Sequence, residues 1–333
     1  MRRAAYGLLG LVILWLGGCD GQNDNMLTLY TSMPQPIIEK IEGEFEKAYP
    51  DLDLEVIRES TTALRSRIEL EIESPQGLQA DLVWAADPSE YLRLIDQGLL
   101  RQYDSPEGSH IPTKFKDANN YYYGGRLISM CIVYNTNQVR PEAAPRLWSD
   151  LQDSVWKDNI ISPDPRRSGS ALAWLAAMVE QKGWEFIEAL GANHIVIANS
   201  NGEVADRLEK GEFQVAILLD YVARSKKVAG SPLEIIYPED GIVLIPSPIA
   251  ITQTSDNIKG AETFIDYVLS PEGQELLARE GSFLSARSDV APPTGVDRAT
   301  VKNALDRALV IDWNEVSSNR IKTIRRFKQI ILD

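Results

Sequence analysis

Histidine and cysteine are nearly absent: the 333 residues contain two of each. Zinc sites draw on clustered His and Cys side chains, and no such spacing occurs here. A serine nucleophile needs a positioned base. His110 lies in the loop-like segment PEGSHIP, His194 opens HIVIANS, and no G-x-S-x-G or P-loop pattern is present. The chain therefore reads as a non-enzyme, with no cofactor implied. A basic excess is missing too: 34 Lys and Arg face 48 Asp and Glu, a formal net charge of −14. That excludes nucleic acid and a polybasic membrane patch as principal partners. A small anionic ligand remains open, because the field at a site is local. Internal repeats, low-complexity tracts and coiled-coil heptads are also lacking.

What is present begins with Arg2 and Arg3, followed by an apolar run from Ala4 to Gly18. That run is shorter than the roughly 20 residues of a spanning helix and fits a secretory signal. Its end, Leu16-Gly17-Gly18-Cys19, resembles the bacterial lipobox. The resemblance implies a lipoprotein signal peptide over 1–18, acylation of Cys19 and a short tether over 19–26. Asp20 resembles a signal for retention at the inner membrane. The expected location is the outer face of the cytoplasmic membrane, with the chain anchored through Cys19. If Cys19 carries lipid, Cys131 has no disulfide partner and reads as a small buried hydrophobe.

The composition, 44% hydrophobic and 25% charged, is that of a globular chain long enough for about two domains. MLTLYTS, LDLEVIRES and ADLVWAADP read as strands. PIIEKIEGEFEKAYP spaces Ile37, Ile38, Ile41, Phe45 and Ala48 on one helix face. STTALRSRIELEIES and SEYLRLIDQGLL read as further helices, the latter ending at Gly98. This alternation predicts an α/β fold. Two long apolar runs, YYYGGRLISMCIVYNT and GIVLIPSPIAITQ, flank a second α/β set. Two such crossings make a hinge between two lobes. The boundaries expected are 27–126 plus 250–333 for lobe 1 and 127–249 for lobe 2. Tyr121 to Tyr123 read as structural aromatics near the hinge.

The order of elements resembles that of the extracytoplasmic solute-binding proteins of ABC importers, in the Fe(III)-type branch. The resemblance is carried by LTLYTSMPQPIIEKIEGEFEKAYP, ADLVWAADPSEYLRLIDQGLL, GGRLISMCIVYNTNQV, SPDPRRSGSALAWL, YPEDGIVLIPSPIAI and FIDYVLSPEGQELLA, and it covers nearly all of the chain after the signal. It implies a type 2 periplasmic-binding-protein fold with a ligand cleft between two lobes, closure on the ligand, and delivery to a permease and its ATPase. A monomer is expected.

The iron-binding members of that branch use a His after the first strand, a Glu after the "AD" strand and two adjacent tyrosines in the second lobe. Here LYTSMPQP has no His, WAADPSEY has Ala86 and Asp87 in place of Glu, and LLDYVAR has Tyr221 alone. At most Asp87 and Tyr221 remain as iron ligands. More informative are helix starts rich in hydroxyls and amides: Thr31-Ser32, Ser60-Thr61-Thr62, Ser168-Gly169-Ser170, and Asn201 beside Ser200. Each alone is an N-cap. In an open α/β sheet such starts gather at the carboxyl ends of the strands, where ligands bind, and several together form an oxyanion cradle. Arg166 and Arg167 stand beside one of them. Asp220, and Glu239 or Asp240, are expected to accept from ligand hydroxyls or an ammonium group. The favoured ligand is thus a phosphorylated sugar or polyol, or an aminophosphonate. Fe(III) or a ferric chelate, a thiamine compound, and a ligand-sensing lipoprotein without transport are the alternatives.

Overall fold

The computed structural model describes residues 25–333. The signal peptide, Cys19 and most of the tether expected at 19–26 lie outside the described residues. The chain opens with β1 (Met26–Thr31), α1 (Gln35–Ala48), β2 (Asp53–Arg58), α2 (Thr61–Ile72), β3 (Leu82–Trp84), α3 (Pro88–Asp96) and β4 (Leu100–Arg101). β1 pairs in parallel with both β2 and β3. The long strand β5 (Tyr123–Asn135) leads to a second set: β6 (Ile160–Pro163), α4 (Gly169–Lys182), α5 (Trp184–Ala192), β7 (Val196–Ala198), α6 (Asn201–Glu209), β8 (Val215–Leu219), α7 (Asp220–Val228) and β9 (Leu233–Ile236). Here β6 is parallel to β7 and β8. β10 (Val243–Thr252) returns to the first lobe, followed by α8 (Ile258–Leu269), α9 (Pro271–Gly281), α10 (Arg298–Asp306) and α11 (Trp313–Ile331).

The strands form one curled sheet in the order β2-β1-β3-β10-β5-β8-β6-β7, with β4 beside β10 and β9 beside β5. All residues of β5 and β10 are buried, as expected for strands covered on both faces. In the first lobe one such cover packs Leu64, Ile68 and Tyr91 on Val83 and Ala250. In the second, Val204 and Leu208 of α6 pack on Ile161, Ala216 and Leu218.

Midway along the sheet the strand ladder narrows. β3 pairs with Ile249–Ile251 of β10, and β8 pairs with Met130–Tyr134 of β5. Between these stretches β5 and β10 pair with each other, through Ser129↔Leu244, Ile128↔Ile245, Leu127↔Pro246 and Arg126↔Ser247, with a register shift at Ser247/Pro248. Prolines 246 and 248 donate no ladder hydrogen bonds, which loosens this strand pair where the lobes join. The tail departs from the expectation that 250–333 belongs wholly to lobe 1. α11 packs against α3 of the first lobe and against α4 and α5 of the second. Its Arg320 pairs with Asp87, and its Arg326 lies 4.5 Å from the Trp184 ring centroid.

Cys131 is fully buried, and that burial pushes its thiol well above the usual range. In a Cys19→Ser chain, a thiol reagent at pH 8 should label Cys131 only as the protein unfolds. Labelling at the rate of an exposed thiol would contradict this packing.

Candidate functional site

Every parallel strand ends at the junction of the lobes, so the helix that follows each one starts there. Six helices do so: α1, α2 and α3 in the first lobe, and α4, α6 and α7 in the second. A helix start presents unpaired N–H groups and a partial positive charge. Two of the six bring their own acid. Asp87 caps α3, accepting from the Ser89 N–H at 3.1 Å and the Ser89 hydroxyl at 2.6 Å, and it forms a buried ion pair with Arg320. Asp220 is the first residue of α7; it accepts from the Ser129 N–H at 3.1 Å, from Arg224 at 2.7 Å and from the Tyr237 hydroxyl at 3.0 Å. The other four starts, of α1, α2, α4 and α6, carry no acid on their cap or first residue, and they line a cleft of about 500 Å³. That volume suits a small ligand.

Seven of the expected residues meet in this cleft: Ser32, Ser60, Thr61, Ser168, Ser170, Asn201 and Tyr221. Ser168 caps α4, accepting from the Ala171 N–H at 3.3 Å, and its hydroxyl lies 2.9 Å from that of Ser170. The Asn201 amide reaches both hydroxyls, at 3.5 and 3.4 Å, while its oxygen accepts from the Leu219 N–H. These three side chains are therefore held together from two helices and one strand end. Ser60 caps α2 and Ser200 caps α6, each accepting from the N–H three residues on. With those N–H groups satisfied, the earlier ones in each first turn are left for a ligand.

Other expected residues stand apart. The Thr31 hydroxyl is buried and donates to the Trp84 carbonyl at 2.8 Å. Thr62 accepts from Arg320 at 3.4 Å. Glu239 is exposed, 3.8 Å from Arg146, and Asp240 pairs with Lys182 at 2.7 Å. Asp220, expected as an acceptor for ligand hydroxyls or an ammonium, has both oxygens engaged by Ser129, Arg224 and Tyr237, and so is not free for that role. Gly169 is a point of close approach between the lobes. A Cβ there would lie 2.8 Å from Asp87 Cβ and 2.9 Å from Thr61 Cγ2.

Sequence reasoning missed Arg126. It is 2% exposed, lies on β5 where the lobes join, and lines the cleft. Its Nε donates to the Ser247 hydroxyl at 3.3 Å, and its Nη1 has no partner. The guanidinium lies 4.3 Å from the Phe283 ring centroid and 5.9 Å from that of Tyr221. Arg58, Arg167 and Lys226 also line the cleft. Arg166 does not; it is folded back on Asp164. Glu280 is the one acid among the described lining residues, and hydrogen bonds from Lys40 and Arg279 hold its carboxyl below the usual range. The cleft is thus locally cationic inside an acidic protein.

For iron, the donor set is poor. Asp87 is committed to Arg320, and Tyr221 sits beside the Arg126 cation with its phenol pushed up by burial. Among the described residues, no group of three or more His, Cys, Asp or Glu side chains is gathered to hold a metal.

Two α/β lobes joined by a strand pair, with a polar cleft at the strand ends, define a type 2 periplasmic binding protein. The chain belongs to the bacterial extracellular solute-binding protein family, whose model matches residues 79–319. It is similar to a periplasmic protein of Salmonella typhimurium named for 2-aminoethylphosphonate binding, at 25% identity over 264 residues and 76% of each chain. Its fold matches AfuA from Actinobacillus pleuropneumoniae, solved with fructose-6-phosphate bound, at a TM-score of 0.80 and 24% identity, covering 92% of this chain and 98% of that one. Iron-bound HitA from Pseudomonas aeruginosa matches at a TM-score of 0.78 and 20% identity, covering 91% and 99%.

A side chain at position 169 should hold the lobes apart. Gly169→Val is expected to fold, to keep the wider radius of gyration in X-ray scattering, and to bind ligand at least ten-fold more weakly. Unchanged compaction and affinity would mean that the contact with Asp87 and Thr61 is not needed for closure.

Proposed function

We propose that this chain is the capture subunit of an ABC importer for a small organic phosphate or phosphonate, tethered outside the cytoplasmic membrane through acylated Cys19 and acting as a monomer. The observation that carries the ligand reading is the arrangement of four helix starts, none with an acid on its cap or first residue, around a cleft that also holds Arg58, Arg126 and Arg167. A tetrahedral oxyanion would accept from the first-turn N–H groups of α4, α6 and α2 and from the Ser168, Ser170 and Thr61 hydroxyls. Contact with both lobes would make the closed state the one the ligand prefers. The likeness to a protein named for 2-aminoethylphosphonate binding and to one solved with a sugar phosphate agrees with this chemistry. Ferric binding has less support, because the cleft offers cations where a metal needs anionic oxygens.

The test is thermal unfolding of the chain against inorganic phosphate, fructose 6-phosphate, 2-aminoethylphosphonate, thiamine phosphate and ferric citrate. A ligand at 100 times its Kd adds about 2.7 kcal/mol, roughly 5 °C or more in Tm for a chain of this size. Shifts confined to organophosphorus compounds support the reading; a shift with ferric citrate alone would overturn it. Replacing Ser168 and Ser170 together by Ala should weaken the bound organophosphorus ligand by about 1–3 kcal/mol. Equal affinity in isothermal titration would remove the α4 cradle.

A further inference from the structure

Four arginines are buried among the described residues: Arg126, Arg224, Arg287 and Arg320. Three have carboxylate partners. Arg224 pairs with Asp220 at 2.7 Å, Arg287 with Glu107 at 2.6 Å and Asp289 at 2.7 Å, and Arg320 with Asp87. Arg126 has none. Its environment is the ring of Phe283, the more distant rings of Tyr221 and Trp84, and one serine hydroxyl. Burial pushes the guanidinium down to about 10, so it is still charged at neutral pH. A desolvated cation without a counter-charge is unfavourable, and the aromatic rings offset only part of that. Its unpartnered Nη1 belongs to a side chain that lines the cleft.

The acids that might receive a positive ligand group are spent. Asp220 and Asp87 are consumed by Arg224 and Arg320. Glu280 is held by Lys40 and Arg279. Glu239 lies outside the cleft lining, near Arg146. An ammonium in this cleft would find no free carboxylate among the described lining residues, whereas a second anion would find Arg126.

We propose that the ligand carries two separated acidic groups, a phosphoryl or phosphonyl group at the helix starts and a carboxylate that pairs with Arg126. This assignment rests on the organophosphorus reading above and narrows it. Arg126 then acts as a specificity-determining residue, rejecting zwitterionic aminophosphonates in favour of phosphonocarboxylates or phosphorylated hydroxy acids. Because Arg126 lies on the strand pair that joins the lobes, the carboxylate would be gripped at the hinge while the phosphorus group is gripped at the helix starts. The charge that the chain leaves unpaired would be neutralised by its cargo.

A matched series isolates the second group: 2-carboxyethylphosphonate, ethylphosphonate and 2-aminoethylphosphonate, titrated calorimetrically into the full chain. The carboxylate compound is expected to bind at least ten-fold more tightly than ethylphosphonate, and 2-aminoethylphosphonate more weakly than either. In Arg126→Met the affinity ratio of the carboxylate compound to ethylphosphonate should fall to about one, whatever happens to the absolute affinity of either; Arg126→Lys should restore part of that ratio. Replacing Ser168 and Ser170 by Ala should weaken all three alike. If the phosphonates bind but the amine compound equals or exceeds the carboxylate compound, the dianion assignment falls and the organophosphorus reading stands. If no phosphonate binds, nor inorganic phosphate, both fall. Should Arg126→Met fail to fold, as thermal unfolding would reveal, the wild-type ranking alone decides the matter.

Discussion

The structure depends on one topological constraint: parallel strands of both lobes run toward their common junction. A helix that follows a parallel strand must begin where that strand ends, so six helix starts converge on one place. Converging starts concentrate partial positive charge and unpaired N–H groups in a small volume. The chain handles that concentration in two ways. At α3 and α7 it supplies an acid from the helix start itself, and then neutralises each acid with an arginine, Arg320 or Arg224. At α2, α4 and α6 the cap and first residue are hydroxyls, a glycine and an amide with no acid among them, leaving a local demand for an anion. The overall charge of −14 does not conflict with this, because the field inside a cleft is set by its own lining.

The two lobes meet through a few contacts of high consequence. Gly169 lets the start of α4 approach Asp87 and Thr61 without a side chain between them. The Asp87–Arg320 pair fixes α3 to α11, and α11 in turn lies on α4 and α5, so the tail links the lobes by a route separate from the β5–β10 strands. Removing one partner from a buried ion pair of this kind typically costs about 3–5 kcal/mol, since the other charge stays desolvated. The strand pair at Arg126–Ser129 and Leu244–Ser247 has few ladder partners and two nearby prolines.

Much of this was legible in the sequence. Strand–helix alternation and the two long apolar runs gave the two-lobe α/β fold, because burial on both faces leaves a continuous apolar signature. Hydroxyls at the helix starts marked the cleft, since N-cap chemistry is local and the fold gathers those caps. Asp220 misled because a polar residue ending an apolar strand reads as exposed; the Arg four residues on, in DYVAR, was the signal for an internal i,i+4 pair. Asp87 misled for a different reason: its partner lies 233 residues away in the tail, and no local pattern announces such a contact. Arg126 was visible as a lone cation in an apolar strand, yet alternation does not tell which of two buried faces opens onto a cleft.

The most direct test of the central claim is a crystal structure of the chain with a bound organic phosphate or phosphonate. The phosphorus is expected within hydrogen-bonding reach of Ser168, Ser170 and the first-turn amides of α4 and α6, with the start of α2 closing over it. A ligand seated with its phosphorus on exposed side chains at the rim, leaving those helix starts solvated, would contradict it.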